Sequence, residues 1–306
     1  MADRQNRSKP QRDLTLVQRM GLWPLRLLWL IVPIAIGPGL MAAVADRSDP
    51  VTLVIEGGLW SGWFAGLVAL LAPSAVALTA IRILAPATLA ATLLAAVSGR
   101  HWGDTTLVAL GAGLIVSVFV LLPMVGDPLI NGSAYGSERR MALRPPAAVL
   151  LGPVQIAWLA VFVGTVTGPL LLAARQWILG IPALVVGLAL AAQGVRSLHQ
   201  LARRWLVFVP AGFVVHDYYT LAESLLIQRR LKPELGLAAD DSTLDTLDLS
   251  GGALGLSLSV RVDEALPVAL RTGRTVTTRS ANRFVFTPTL PGQALAEARI
   301  RAIRIE

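Results

Sequence analysis

The sequence predicts an α-helical integral membrane protein of about six transmembrane helices, followed by a C-terminal β-rich domain that ends in a helix. The chain of 306 residues is 54% hydrophobic and only 15% charged, whereas soluble domains average about 45–50% apolar and about 25% charged residues. The apolar residues are concentrated in residues 27–193, and the tail from Arg196 onward alternates apolar and polar residues. We therefore expect a basic N-terminal segment (1–24), a transmembrane domain (25–195) and a β-rich domain (196–306).

Six apolar segments are predicted to cross the membrane, because a helix needs about 20 apolar residues to span the hydrocarbon core. They are residues 27–45, 58–78, 83–97, 107–125, 147–168 and 177–193. The third segment is short, so we expect it to begin near Thr79 or to have the Arg82 side chain reach the interface. A re-entrant pair of helices around Arg82 is the alternative.

The basic residues of the loops predict the orientation of the helices. The N-terminal segment, the turn at Arg82, the loop of residues 131–146 and the segment after the last helix lie on one side and hold most of the arginines. The opposite side receives Arg47, Arg100 and Arg175. Both ends of the chain are therefore expected to be cytoplasmic. The arginine-rich, alanine-rich composition is typical of a GC-rich bacterial genome, which predicts a bacterial inner membrane.

The first apolar segment has a second interpretation. Residues 42–46 (AAVAD) place small side chains where a signal peptidase cleaves, behind a basic segment and an apolar core. Such a leader would be unusually long. Cleavage near Ala45 remains the alternative, and it would leave the other helices oriented as before.

Short runs of β-branched and aromatic residues predict the β-rich domain. Residues 205–209 and 213–216 are separated by Pro210 and Gly212, which predicts a hairpin. The clearest two-residue alternation of apolar and polar side chains covers residues 254–262. Further strands are predicted at residues 223–228, 276–279 and 283–287, and a helix at residues 294–303.

Two resemblances follow from these segments. The order of strands closed by one helix resembles the bacterial pleckstrin-homology-like fold, a small barrel plugged by a helix, over roughly residues 203–306. The segments NGSAYGSERR (131–140) and WLVFVPAGFVVHD (205–217) resemble uncharacterised actinobacterial multi-pass membrane proteins. This second resemblance implies a family without a known activity, so it carries over no functional residue.

Composition excludes several kinds of chemistry. The chain has no cysteine, which excludes disulfides, thiolate catalysis and cysteine-ligated metals. The three histidines, His101, His199 and His216, lie far apart in sequence. The net charge of +8 is spread over many loops without a basic helix or a stacking platform, so no nucleic-acid partner is expected. We expect no cofactor and no metal.

The sequence offers few polar groups that could catalyse a reaction or couple transport to an ion. The inferred span interiors contain no ionisable side chain, which argues against a proton-coupled or ion-coupled transporter. The acidic stretch at residues 240–248 lacks the glycine and the closing glutamate of a calcium-binding EF-hand, so it is interpreted as a solvated loop. His216 and Asp217 are strand neighbours whose side chains are expected on opposite faces.

The candidate site is the arginine-bearing loop of residues 131–146 together with the segment after the last helix. The loop is expected to dock the β-rich domain against the membrane, or to contact anionic lipid head groups through its arginines. The alternative is that these arginines only fix the topology. The candidate residues are Tyr135, Glu138, Arg139, Arg140, Arg144, Arg203 and Arg204.

These observations favour a non-enzymatic inner-membrane protein. Its cytoplasmic β domain is expected to bind a protein partner or a lipid surface, and thereby to scaffold or regulate a membrane assembly. The alternative is a transporter or channel for a neutral or lipidic solute, which would pass between the proline-containing helices. A membrane-embedded enzyme is a third possibility.

Overall fold

A computed structural model of the chain describes residues 21–99, 102–238, 246–273 and 275–306. In this part of the chain, six spans are long and apolar enough to cross a membrane, which confirms the predicted layout and indicates a membrane protein. Residues 1–20 of the predicted basic segment lie outside the described residues. The helices are α1 (Trp23–Val44), α2 (Asp49–Leu71), α3 (Ala75–Gly99), α4 (Asp104–Leu121), α5 (Pro123–Asn131), α6 (Ala147–Leu150), α7 (Pro153–Ala173), α8 (Trp177–Ala202) and α9 (Pro291–Ile300).

The turn between α2 and α3 lies earlier in the chain than predicted. α3 begins at Ala75, and the Ser74 hydroxyl accepts a hydrogen bond from the Ala77 amide at 3.1 Å. The third span is therefore a full-length helix, and the re-entrant alternative is wrong. Arg82 lies inside α3, so the expectation that the span interiors carry no ionisable side chain is also wrong. The turn was not predicted because the residues on both sides of it are equally apolar, although Pro73 and Ser74, residue types that favour a helix break and a helix start, lie in it.

Proline divides two of the predicted spans. α4 ends at Leu121 because Leu122 is extended and Pro123 begins the separate helix α5. The fifth span consists of α6 and α7, and Pro153 begins the second of these helices. The α5 helix lies outside the six spans and places Asp127 at the edge of the helix bundle.

Glycines set the close contact between α7 and α8. A Cβ atom at Gly187 would lie 2.5 Å from the Gly164 carbonyl oxygen, and one at Gly194 would lie 2.6 Å from the Ala157 carbonyl oxygen. Small residues let two membrane helices approach until their backbones touch, which is how van der Waals packing holds helices together in lipid. The last two spans therefore form a tight antiparallel pair.

The β-rich region contains two sheets. Sheet I is fully antiparallel with the order β1-β2-β3-β4, and sheet II has the order β6-β8-β7-β5-β9. The strands of sheet I are β1 (Arg139–Ala142), β2 (Trp205–Val209), β3 (Gly212–His216) and β4 (Leu225–Gln228). The strands of sheet II are β5 (Glu234–Leu237), β6 (Thr246–Asp248), β7 (Leu258–Thr272), β8 (Thr275–Phe286) and β9 (Arg304–Ile305).

Three details of the β-rich region differ from the sequence-based expectations. The two strands predicted around residues 276–287 are one long strand, β8, which pairs with β7 across a register shift between Arg261 and Leu266. β7 begins at Leu258, because Gly255 has a φ of +122° that breaks the predicted alternation. The helix is not the last element, since Ala302 adopts a φ of +55° and the short strand β9 follows.

Candidate functional site

The candidate site is built around β1, the edge strand of sheet I that comes from the loop between two helices. β1 lies in the loop of residues 131–146 and pairs along its whole length with β2, the first strand after the last span. Met141 and Leu143 are buried in the core of the β-rich region. Ala142 is buried instead among the helices, together with Ala202. The loop therefore lies between two hydrophobic cores, and we call this contact region the junction.

Asp127 fixes β1 to the end of the helix bundle. Its side chain is buried, and its Oδ1 atom accepts a hydrogen bond from the Ala142 amide at 3.0 Å. The Thr289 hydroxyl lies 3.3 Å from the same oxygen, and the Thr289 amide donates to the Ala142 carbonyl oxygen at 2.9 Å. One carboxylate thus joins helix α5, strand β1 and the segment that leads from β8 to α9.

Arg204 and Asp217 form a second fixed point on the β side of the junction. Both side chains are buried, and they make a two-pronged ion pair with distances of 2.8 Å from Nε to Oδ1 and 2.6 Å from Nη2 to Oδ2. Asp217 also accepts hydrogen bonds from the Tyr219 amide and the Thr220 hydroxyl, at 2.9 Å and 2.8 Å. These four contacts give each oxygen of the Asp217 carboxylate two hydrogen-bond donors. A buried charge is tolerated when it is paired and hydrogen-bonded in this way.

The Arg204 guanidinium also holds the loop. Its Nη1 atom donates to the Arg144 carbonyl oxygen at 2.8 Å, and its own carbonyl oxygen accepts from the Leu143 amide at 3.0 Å. The Arg144 amide donates to the Thr287 carbonyl oxygen at 2.8 Å. Arg204 therefore contacts the loop and Asp217 and is buried from the surface, while Arg144 is half-buried beside it.

A row of stacked side chains lies on the face of sheet I that points away from the core of the β-rich region, where Trp205 packs against the helix bundle. The Trp205 and His216 rings stack with centroids 5.3 Å apart, and the Tyr218 ring meets His216 edge-on at 4.5 Å. The Arg140 guanidinium lies over Trp205 at 5.5 Å, and Arg203 lies over Tyr218 at 4.8 Å. We call these five residues the cation–aromatic row.

Register explains why the row forms. Trp205 and His216 are directly paired across β2 and β3, and Arg140 is paired with Val207, two residues along β2 from Trp205. Paired and diagonal neighbours on one face of an antiparallel sheet lie within contact distance. Arg203 adds a hydrogen bond from Nη2 to the Tyr218 hydroxyl at 3.2 Å.

His216 is the one titratable group in the middle of the row. Burial and the nearby Arg203 and Arg140 guanidinium groups lower the pKa of His216 below its usual range, against the opposing effect of Asp217. Its Nδ1 atom lies 2.6 Å from the Ser224 hydroxyl. The lowered pKa favours the neutral form of the ring, which avoids placing a third cation beside two arginines.

The remaining candidate residues shape the loop. Tyr135, the one aromatic residue among the seven candidates, is 87% exposed. Glu138 accepts a hydrogen bond from Arg140 Nη2 at 3.1 Å and lies close to the Tyr135 amide. Arg139 is half-buried at the start of β1 and attracts the Asp127 carboxylate electrostatically. Of the seven predicted residues, Arg204 is buried, Arg140 and Arg203 belong to the row, and Tyr135 is exposed. The other three, Glu138, Arg139 and Arg144, are half-buried.

Sequence reasoning missed three residues that matter here. Asp127 and Tyr218 were not singled out, and Asp217 was considered only as a neighbour of His216. A buried carboxylate has no local signature, because its partners come from distant segments. Residues 240–245 of the acidic stretch lie outside the described residues. Residues 246–248 form strand β6 and not a loop, because Leu247 is buried in the core of the β-rich region. No group of three or more metal-ligating side chains occurs within the described ranges.

The pKa of Asp127 gives the junction a testable pH dependence. Burial raises the pKa of Asp127, although the Ala142 amide, Arg139, Thr289 and Arg82 partly oppose this effect. An acid with a raised pKa in the folded state favours folding at low pH, and this contribution is lost as pH rises above the usual value of about 4.

Asp127→Asn is therefore expected to gain stability relative to the wild type as pH rises from about 4 to neutrality. The amide side chain keeps an oxygen for the Ala142 amide but cannot ionise. Free energies of unfolding of both proteins, measured in detergent over this range, check the prediction. Asp263→Asn, at an exposed carboxylate on β7, is the control. A difference between Asp127→Asn and the wild type that does not vary with pH would contradict the prediction.

Comparison with models of protein families, with curated proteins and with solved structures finds no match to this chain.

Proposed function

We propose that this chain is a non-enzymatic membrane protein whose β-rich region binds a protein partner and thereby scaffolds or regulates a membrane assembly. The observation that carries the proposal is the partly exposed cation–aromatic row beside the helix bundle. Tyrosine, tryptophan and arginine are the residues that most often dominate the energy of protein interfaces. The row presents all three side-chain types in one ordered arrangement.

The support for a docking role, and not only a stabilising one, comes from the exposure of the row at one end. Tyr218 is 38% exposed, and the Arg203 guanidinium lies 4.8 Å from the centre of that ring. A bound partner would cover this ring and remove its edge from water, while the row already holds both side chains in place. Little conformational entropy would then be lost on binding, which favours affinity.

The two buried anchors support a fixed platform. Asp127 and the Arg204–Asp217 pair hold sheet I against the helices through separate hydrogen bonds. A partner bound at the row would therefore be held at a defined height and orientation relative to the membrane. The arginine distribution supports a cytoplasmic location of this platform in a bacterial inner membrane.

The resemblance to a pleckstrin-homology-like fold is part of the proposal. Nine strands in two sheets and one helix near the C-terminus support it within the described residues. Two features complicate it, because β1 comes from a loop between helices and β9 follows the helix. A relationship to actinobacterial multi-pass membrane proteins likewise remains a prediction from the sequence.

Site-specific photo-cross-linking tests the proposed function. A photoreactive phenylalanine analogue at Tyr218 in the full-length protein is expected to give one discrete protein adduct in cells. The same analogue at Val276, which is 56% exposed on β8, is the control and should not give that adduct. The partner identified from the adduct is then purified and its binding measured directly.

Arg203→Ala is expected to weaken that binding by about tenfold or more, since truncating an interface arginine at a hot spot costs about 2 kcal/mol or more. Its thermal unfolding should match that of the wild type. Equal adducts from both positions, or equal affinity of wild type and variant, would overturn the proposal. Solute flux through the purified protein in liposomes, unaffected by Arg203→Ala, would favour the transporter alternative.

A further inference from the structure

A six-residue segment of the β-rich region exposes only apolar atoms on its side chains. Residues 251–256 read GGALGL and connect β6 to β7. Leu254 is 73% exposed and Leu256 is 66% exposed. No charged or polar side chain occurs in these six residues, which we call the apolar loop. Contact with an apolar environment would remove both exposed leucine side chains from water.

Both ends of the apolar loop are fixed. Before the loop, Asp248 Oδ1 accepts a hydrogen bond from the Ser250 amide at 2.7 Å, and Ser250 Oγ accepts from the Gly252 amide at 3.1 Å. After the loop, the Ser257 hydroxyl lies 2.8 Å from the Thr287 hydroxyl. The two leucines therefore project from a closed, anchored turn, and their exposure does not result from an unattached chain.

The loop is attached to the first residues of the fifth span. The Gly252 carbonyl oxygen accepts a hydrogen bond from the Ala147 amide at 3.3 Å, and Arg144 Nη1 donates to the Leu254 carbonyl oxygen at 3.3 Å. Gly255, with a φ of +122°, lies against the same guanidinium, where a Cβ atom would meet it at 2.9 Å. The loop thus lies at the level where the chain enters the helix bundle.

The entrance of the fifth span also exposes leucines. Leu150 and Leu151 are 42% and 86% exposed at the end of α6, three and four residues after Ala147. The Gly252–Ala147 hydrogen bond ties the backbone of the loop to the segment that carries these two leucines. The outward face of α7 beyond them also exposes Ile156 and Leu159.

We propose that the apolar loop inserts Leu254 and Leu256 into the lipid interface at the end of the bundle that carries sheet I. A lipid surface fits better than a protein partner because the loop is hydrogen-bonded to the first residue of the fifth span, which itself exposes leucines. Arg144, whose guanidinium lies under the loop, is placed at the height of the lipid head groups. This inference rests on the membrane layout and not on the proposed protein partner.

The absence of cysteine from the chain permits a direct test. Leu254→Cys is labelled with an environment-sensitive nitrobenzoxadiazole fluorophore in full-length protein reconstituted in lipid nanodiscs. Ala211→Cys is the aqueous control, since it lies in the exposed turn that follows the five residues of β2, about 16 Å of strand beyond the last helix. Ile115→Cys, 59% exposed in the middle of α4, is the lipid control.

The label at position 254 is expected to emit further to the blue than the label at 211. It should also be quenched by lipids that carry a spin label near the head group, and less strongly by a water-soluble quencher. Emission and quenching equal to those at 211 would overturn the inference. A blue-shifted label that spin-labelled lipids do not quench would also overturn it, because protein and not lipid would then cover the loop. Unchanged thermal unfolding of Leu254→Cys shows that the variant is folded.

Discussion

Replacing Arg204 with alanine is expected to lower the free energy of unfolding by about 3–5 kcal/mol, because this change leaves a buried carboxylate without its partner. Asp217 has no exposed surface on its side chain, so water cannot replace the guanidinium. The Arg144 carbonyl oxygen loses a donor at the same time. We therefore expect β1 to separate from β2 and the loop of residues 131–146 to become sensitive to proteases.

Denaturant titration in detergent, followed by limited proteolysis, checks this expectation. Arg261→Ala is the matched control, because Arg261 pairs with Glu234 at the surface, where its side chain is 58% exposed. Loss of such an exposed pair costs about 1 kcal/mol or less. Similar losses for the two variants would show that the buried pair has no special role.

A double replacement separates the ion pair from the packing that surrounds it. Arg204→Met combined with Asp217→Leu removes both charges and fills the space with apolar atoms. Replacing a buried pair in this way is often neutral or stabilising. We expect the double variant to recover much of the stability that Arg204→Ala loses, although Tyr219 and Thr220 lose an acceptor. A double variant as unstable as the single one would show that the hydrogen bonds of Asp217 matter more than the charges.

Gly187→Ala is expected to destabilise the helix bundle by about 1–3 kcal/mol, because the added methyl group overpacks the contact between α7 and α8. The new Cβ atom would lie 2.5 Å from the Gly164 carbonyl oxygen, a backbone atom that cannot rotate away. The two helices must then move apart and lose packing along their length. Thermal unfolding in one detergent, followed by circular dichroism, measures the effect.

Gly111→Ala is the matched control within the bundle. The same substitution at Gly111 in α4 meets no atom within 4 Å, so it is expected to stabilise the helix by about 0.5–1 kcal/mol. The two variants should therefore change stability in opposite directions. A loss of the same size at both positions would mean that the close α7–α8 contact is not what stabilises this pair.

The sequence by itself determined the features that depend on local composition. Three features could be predicted because each is encoded by neighbouring residues. They are the six long apolar segments, the first hairpin of sheet I, and the change near Arg203 from apolar spans to short β-rich runs. The site was predicted in part, because an arginine-bearing loop between apolar spans is visible without a structure. Boundaries within apolar sequence were less certain, and the turn before Ala75 was missed for this reason.

Only the tertiary structure decided which of those residues have a partner. Arg204, just before β2, is buried because it pairs with Asp217, just after β3. Asp127 is buried because Ala142 and Thr289 meet it from two distant segments. The cation–aromatic row likewise needs β1 to pair with β2 across the whole transmembrane hairpin of α7 and α8. Such contacts join residues that no local pattern relates, since hydrogen bonds and ion pairs depend on distance in space and not in sequence.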